Sequence, residues 1–221
     1  MPVLSSDADR LFLFKPAGIP VFPPHADPDG DCLLARLLAA VPAQAGDWPA
    51  GFQGGIAHRL DTATSGLVLA ARSPDALAAL RAQFAARVLR KHYVFQAEGV
   101  VTAERWPRVV DVEIAHHPNR RDRMVARRGP RTAHRGRWYP AWSAFSPCAH
   151  PTGKGLWNCE IRTGVTHQVR VHAAWLGLPL TGDALYGGPP GRYVLHARRV
   201  DGPGWSSPDV PLPEEAFDGV V

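Results

Sequence analysis

The sequence is poor in several things, and each shortage excludes a class of protein. It has three cysteines in 221 residues, Cys32, Cys148 and Cys159, an odd number with no CxxC pair. That excludes a disulfide-stapled secreted scaffold and makes a reducing compartment the default. Apolar runs such as Leu67–Ala71 are far too short to cross a bilayer, which excludes a membrane-embedded chain. The opening residues, Met1-Pro2-Val3-Leu4-Ser5-Ser6-Asp7, lack a basic segment followed by an apolar one, so no cleaved secretion signal is expected and the cytoplasm is the expected location. Internal repeats and low-complexity stretches are missing too. What remains is 45% hydrophobic. A chain of this size buries roughly 70% of its unfolded surface and needs no metal or disulfide staple. One domain over 1–221 is expected, with its core between about 10 and 200 and a tail rich in Pro and acids over 202–221.

Lysine is also scarce, 3 against 22 arginines, and the arginines are unevenly placed. Between Pro118 and Arg137 stand Arg120, Arg121, Arg123, Arg127, Arg128, Arg131, Arg135 and Arg137 with one acid, Asp122. That window carries +7 of a net +5, so the rest of the chain carries −2. A single basic segment on a nearly neutral body is the footprint of a polyanion contact. A solvated loop in an arginine-rich chain would have the same composition.

The hydrophobic pattern predicts few helices and irregularly interleaved strands. Leu11–Phe14 reads as a strand that stops at the Pro- and Gly-rich turn Lys15-Pro16-Ala17-Gly18-Ile19-Pro20. Asp31 is placed to cap a helix carrying Leu33, Leu34, Leu37 and Leu38. Gly46–Gly51 reads as a loop and Gly66–Ala71 as a buried strand. Ser73-Pro74 predicts a helix start, because serine caps well and proline at the first helical position loses no bond. Its stripe would be Leu77, Leu80, Phe84 and Val88. His92–Glu98 reads as a strand with Tyr93, Phe95 and Ala97 on one face. Leu156–Arg162 reads as another, and Tyr193–Val200 as a late one. Thr166 is placed to cap a helix from His167 to Leu176, closed by Gly177. The class is α+β, with a mixed, mainly antiparallel central sheet and flanking helices.

Three separated segments carry chemistry-bearing residues. The first is His58-Arg59-Leu60-Asp61-Thr62-Ala63-Thr64-Ser65-Gly66, the second Lys91-His92-Tyr93, and the third Thr163-Gly164-Val165-Thr166-His167-Gln168-Val169-Arg170-Val171-His172. The third is followed by Gly177–Tyr186 and later by Leu195-His196-Ala197. Together with Lys15-Pro16-Ala17-Gly18-Ile19-Pro20-Val21, they resemble the RluA family of RNA pseudouridine synthases. The family patterns are H-R-L-D-x-x-T-S-G, K-x-Y, T-G-[R/K]-T-H-Q-x-R-V-H and G-x-P-x-x-G-D-x-x-Y, and they occur here in the same order. Val165 departs from the usual Arg or Lys, Phe14 from Asn and Phe95 from Ala. No S4-type RNA-binding domain precedes the segment, which resembles the compact members acting on tRNA or small rRNA stem-loops.

The resemblance implies the family's fold and its reaction. The N1–C1′ bond of a flipped-out uridine breaks, the base turns, and it rejoins through C5. No redox change occurs and no water enters the product, so no cofactor is expected. Asp61 is implied as the reacting carboxylate, and Arg170 as the guanidinium that keeps it ionised and oriented. Tyr93 is implied as the ring beside the flipped uracil, a contact worth roughly 1–3 kcal/mol, and as a possible relay for the C5 proton. Arg59 is implied as the side chain that enters the RNA stack, since flipping costs a few kcal/mol. Asp61, Tyr93 and Arg170 must then act on one extruded nucleotide. His58, Thr64 and His167 join the expected substrate-binding set, with His58 and His167 also read as hydrogen-bonding struts. Arg120, Arg121 and Arg123 are expected on the RNA backbone. Asp183 reads as a loop brace.

Other classes fit less well. A metal site is not expected, because His167 and His172 are five apart and no Cys/His cluster accompanies them. A non-catalytic RNA-binding module has no need of a carboxylate near phosphate. A glycosidase needs two carboxylates, and the Asp61 segment offers one. The expected partner is tRNA and/or rRNA, with no membrane, and the expected state is a monomer. The subgroup that modifies both tRNA and rRNA has the nearest Arg59–Ser65 segment.

Overall fold

The computed structural model describes residues 2–98, 106–148 and 155–213. Among these the elements run β1 Val3–Ser6, β2 Arg10–Lys15, α1 Leu33–Ala40, β3 Ser65–Ala71, α2 Pro74–Ala85, β4 Arg90–Gln96, β5 Arg108–Asp111 and β6 Ile114–His116. They continue with β7 Met124–Ala126, β8 Arg135–Tyr139, β9 Trp142–Pro147, β10 Leu156–Ile161, α3 Gln168–Trp175, β11 Leu195–Gly202 and β12 Trp205–Ser206. The architecture is α+β and mainly antiparallel. The chain divides into two compact units, one of residues 1–89 with 196–211, the other of 90–195 with 212–221.

In the first unit β2 pairs antiparallel with β1 and β3, and β3 pairs parallel with β11, which turns back into β12. β3 is buried on both faces, which is why it reads as an unbroken apolar run. Its inner residues Leu67 and Leu69 pack with Leu77 and Leu80 of α2 and with Phe12 and Val200. α2 begins as its sequence predicts: Ser73 Oγ accepts from the Ala76 N–H at 3.2 Å and Pro74 follows. The stripe does not reach Val88. Arg87 turns left-handed at φ 56° and ends the helix, leaving Val88 exposed. The cap of α1 is Cys32, whose Sγ accepts from the Ala35 N–H at 3.3 Å, in place of Asp31. The Asp31 carboxylate is taken by Arg36 instead. Ser207 and Val210 bond back to β11, so the tail follows that strand as far as it is described; 214–221 lie outside the described residues.

The second unit holds an antiparallel sheet in the order β4-β10-β9-β5. Phe95 meets Phe145 edge-on at 5.9 Å, and the fully buried Trp157 donates Nε1–H to the Ala97 carbonyl at 3.2 Å. Phe95, a departure from the family pattern, is therefore core. A second sheet, β7-β6-β8, takes in part of the arginine-rich window: β7 lies inside it and β8 starts at its end, both pairing with β6 just before it, so the window is two loops tied to a sheet and not one open loop. α3 starts one residue later than the pattern suggests. His167 takes the cap position with left-handed backbone at φ 58°, and Thr166 makes no cap. No helix among the described residues is long and apolar enough to cross a membrane.

Candidate active site

Asp61 sits in a loop that the first unit fixes at several points. The segment before it runs along β3: Ile56 bridges Ala70, and the Ala57 N–H donates to the Leu69 carbonyl at 2.9 Å. One residue on, the His58 side chain takes over the ladder. Its Nε2 accepts the Leu69 N–H at 3.0 Å, which puts the ring proton on Nδ1, and the ring packs on Phe84 at 5.4 Å. After Asp61 the chain closes a turn, with the Thr64 N–H donating to the Asp61 carbonyl at 3.0 Å. Thr64 itself is buried, and its Oγ1 makes no hydrogen bond among the described residues. Arg59 is exposed and Asp61 half-buried.

Lys15 ties this turn down from the end of β2. It is fully buried, and its Nζ donates to the carbonyls of Pro16 at 2.9 Å, Ile19 at 2.7 Å and Thr62 at 3.1 Å. The Gly18 N–H reaches the same Thr62 carbonyl at 2.8 Å. Burial pulls the Lys15 ammonium down to about 8, and the negative charge of Asp61 opposes that shift. In the sequence Lys15 stands out only as the first residue of the Lys15–Val21 motif. A lysine ending an apolar strand, just before a proline-glycine turn, was the signal.

The far side of the loop is held by β11. His196 Nε2 faces the Val210 carbonyl at 3.1 Å and so carries the ring proton, leaving Nδ1 to accept from Ser65 Oγ at 2.9 Å. At Gly66, φ is 116°, and a Cβ there would lie 2.2 Å from the Ala197 carbonyl oxygen. Only glycine lets β3 and β11 approach this closely. Phe14, another departure, packs near the His196 ring at 6.5 Å.

The second unit carries Tyr93 and Arg170. Tyr93 is buried on β4, opposite Cys159 of β10. Arg170 lies in the first turn of α3 and is gripped by both oxygens of Asp183, Nε to Oδ2 at 2.7 Å and Nη2 to Oδ1 at 2.8 Å. Its guanidinium also lies 5.0 Å from the Tyr186 ring centroid and 5.6 Å from that of Tyr193. Asp183 follows Gly182, whose φ of 76° and whose approach to the Gly191 carbonyl leave no space for a side chain. The brace at Asp183 is thus an arginine clamp.

α3 itself is locked by buried amide and imidazole groups. Gln168 accepts from Thr163 Oγ1 at 2.8 Å and the Val165 N–H at 3.1 Å, and donates to the Trp142 carbonyl at 2.8 Å and Ser143 Oγ at 3.0 Å. Ser143 Oγ passes its proton toward His172 Nδ1 at 2.8 Å, and His172 Nε2–H ends the chain on the Val112 carbonyl at 2.8 Å. Burial pulls His172 down to about 4, so it is neutral at physiological pH. The Gly164 backbone lies against the buried Lys91 ammonium, which a Cβ would meet at 3.0 Å. The strained backbone of His167 is offset by a bond in which Nδ1 accepts from Tyr186 Oη at 2.8 Å. Val165 packs on the apolar cluster of Ile114, Met124, Ala141, Val171 and Tyr186, which explains an apolar residue where the family has a basic one.

The basic hairpin mixes paired and exposed arginines. Arg120 meets Asp122, and Arg127 meets Glu113. Arg123 lies over Tyr186 at 5.4 Å with no hydrogen bond to its Nε among the described residues, and Arg137 lies over Tyr139 at 4.7 Å. Arg121, Arg128, Arg131 and Arg135 are exposed. Among the described residues no three His, Cys, Asp or Glu side chains group as a metal site would need.

A family model described as RNA pseudouridylate synthase matches residues 9–175 of this chain. The chain belongs to this family. Ribosomal large subunit pseudouridine synthase D of Xanthomonas campestris pv. campestris is 36% identical over 191 residues, which cover 84% of this chain and 51% of that protein. The enzyme of the same name from Pseudomonas aeruginosa is 33% identical over 240 residues, 97% of this chain and 69% of that protein. In Escherichia coli strain K12 the corresponding figures are 33% over 190 residues, 86% and 53%. This family member spans about half the length of the first curated relatives it matches. It shares its fold with Human RNA Pseudouridylate Synthase Domain Containing 1, at TM-score 0.73 and 21% identity over 99% of this chain and 86% of that one. Human RNA Pseudouridylate Synthase Domain Containing 4 follows at TM-score 0.70 and 21% identity, over 96% and 89%.

Proposed function

We propose that this protein converts uridine to pseudouridine in structured RNA, with Asp61 as the reacting carboxylate. The observation that carries this reading is the Asp61 loop itself. A half-buried carboxylate on a turn pinned by Lys15, Gly18 and His58, with a buried ammonium as its electrostatic neighbour, is costly for a surface turn and useful for a reacting group. In the reaction N1–C1′ breaks and C5–C1′ forms. The C5 proton leaves, N1 ends protonated, and the product is an isomer of the starting nucleotide. Arg170 and Tyr93 are assigned roles on the same nucleotide, Arg170 through its guanidinium and Tyr93 as the ring against the uracil. Arg59, exposed two residues before Asp61, takes the place of the extruded base. His58 and Thr64 hold the loop, and His167 holds the start of α3.

Ribosomal RNA is the favoured target, because the relatives are named for the large ribosomal subunit. A tRNA stem-loop is the second target to test. Arg120, Arg121 and Arg123 contact the RNA backbone, which positions the substrate without reading its sequence. The protein acts as a monomer in the cytoplasm and needs no cofactor. The test is to incubate it with unmodified large-subunit rRNA and with unmodified tRNA, digest, and separate the nucleosides. A nucleoside of uridine's mass with altered retention supports the reading. Release of free uracil makes the protein a hydrolase, and unchanged uridine on every RNA leaves a binding module.

A further inference from the structure

Tyr186 touches more of the site than its place in the core requires. It closes a short 3-10 turn, Ala184–Tyr186, directly after Asp183, and its N–H donates to the Asp183 carbonyl at 3.1 Å. The residue that grips Arg170 from the edge and the ring that lies against its face are therefore parts of one turn. The same ring carries the Arg123 guanidinium at 5.4 Å. Its hydroxyl reaches two further elements: Oη accepts the Met124 N–H of β7 at 2.9 Å and lies 2.8 Å from His167 Nδ1 at the start of α3. With Met124 donating into the oxygen, the phenol proton is left for His167, which puts the imidazole proton on Nε2.

The apolar cluster around Tyr186 does not call for that hydroxyl. Ile114, Met124, Ala141, Val171 and Val165 would be served by phenylalanine without the cost of burying a polar group. The hydroxyl instead joins the arginine-rich hairpin, through the residue next to Arg123, to the helix that carries Arg170. We infer that Tyr186 is a positioning residue that couples RNA docking on the β6–β8 sheet to the orientation of Arg170; this rests on the reading of the protein as an RNA-modifying enzyme. Phosphates drawing on Arg120, Arg121 and Arg123 pull on β7, and Met124 transmits that pull to the ring lying against the Arg170 guanidinium.

The experiment uses Tyr186→Phe in the full chain, which keeps the ring and removes only the link. Turnover, RNA affinity and thermal unfolding are measured with unmodified large-subunit rRNA. Alongside, the Arg170 Nε–H resonance is followed as an RNA stem-loop with cytidine in place of every uridine is added, which binds without reacting. The expected result is kcat down about tenfold with KM and RNA affinity within about twofold, the split of a group acting after binding. In the wild-type protein the Arg170 resonance moves on adding RNA, and in the variant it does not. An unchanged kcat, or a loss of folding and affinity that accounts for the whole effect, makes Tyr186 a core residue only. Failure of the wild-type protein to form pseudouridine overturns the functional reading instead, and the resonance still decides the coupling.

Discussion

Both carboxylate oxygens of Asp183 bind the Arg170 guanidinium, at 2.7 and 2.8 Å, and the carboxylate is 1% exposed while the arginine side chain is 12% exposed. Such a pair is geometrically specific, because the fork of donors matches the two acceptors only in one plane. Asp183 thereby fixes the plane in which Arg170 presents its remaining donors.

Asp183→Asn turns one of the two acceptors into a donor facing a guanidinium. Stability falls by about 3 kcal/mol, the usual cost of breaking a buried ion pair from one side. Turnover falls more than the affinity for RNA, because Arg170 loses its direction and not its charge. Urea unfolding and steady-state kinetics on the same preparation check both. A variant as stable as the wild type would show that the pair contributes little to the fold.

Lys15 and Lys91 make stability and activity diverge at alkaline pH. Burial lowers both ammonium groups to about 8 from an ordinary 10.5. Between those values the unfolded chain binds more protons than the folded one, so stability rises from pH 8 to 10 by about 1.4 kcal/mol per pH unit for each group. Activity falls over the same range, as Asp61 loses its neighbouring positive charge and the Thr62 carbonyl loses a donor. Lys15→Arg keeps its charge and removes the alkaline fall in kcat. A fall that persists in that variant assigns the ionisation to another group.

His172 sets an opposite limit in acid. Its folded value near 4 against 6.5 means that the unfolded state binds the extra proton between those values. Stability is complete above pH 6.5 and declines as pH drops toward 4, by about 1.4 kcal/mol per unit for one proton. Burial shifts His196 in the same direction. Urea midpoints at pH 7 and pH 5 measure the slope, and His172→Gln lowers the proton uptake on unfolding by about one. An unaltered slope would place the acid sensitivity in the carboxylates.

The hairpin arginines are tested by salt. Replacing Arg120, Arg121 and Arg123 with alanine weakens RNA binding and reduces the slope of log affinity against log salt by about 2, since each phosphate contact releases roughly 0.7–0.9 of a counterion. Filter binding between low and moderate salt gives that slope. Equal slopes for variant and wild type would return the hairpin to solvent.

The parts legible in the sequence were those where a local signal and the tertiary demand agree. Ser73-Pro74 starts a helix in any context, and the apolar run of β3 is a doubly buried strand. Asp61, Tyr93 and Arg170 are singled out by the order of their motifs, and their roles stand as proposed. The misses have a common origin in side-chain partners that residue preference alone does not choose. Asp31 is a good cap in isolation, yet Arg36 takes its carboxylate and a cysteine does the capping. Thr166 likewise yields to His167, whose left-handed backbone is held by a tyrosine 19 residues away. The short strands β6–β8 are hard to read because each is only three to five residues long and they flank loops in which arginines dominate, and their cover comes from Tyr186 and Val171 elsewhere in the chain. Lys15 and Asp183 looked like turn residues, since burial of a charge is decided by neighbours that local spacing does not reveal.

Asp61→Asn tests the central claim most directly, because it keeps the shape of the side chain and removes its charge. The account predicts that pseudouridine formation on unmodified RNA falls below about 1% of the wild-type rate while RNA affinity stays within about threefold, as expected for a group that reacts and does not anchor. Turnover that survives the substitution would contradict it.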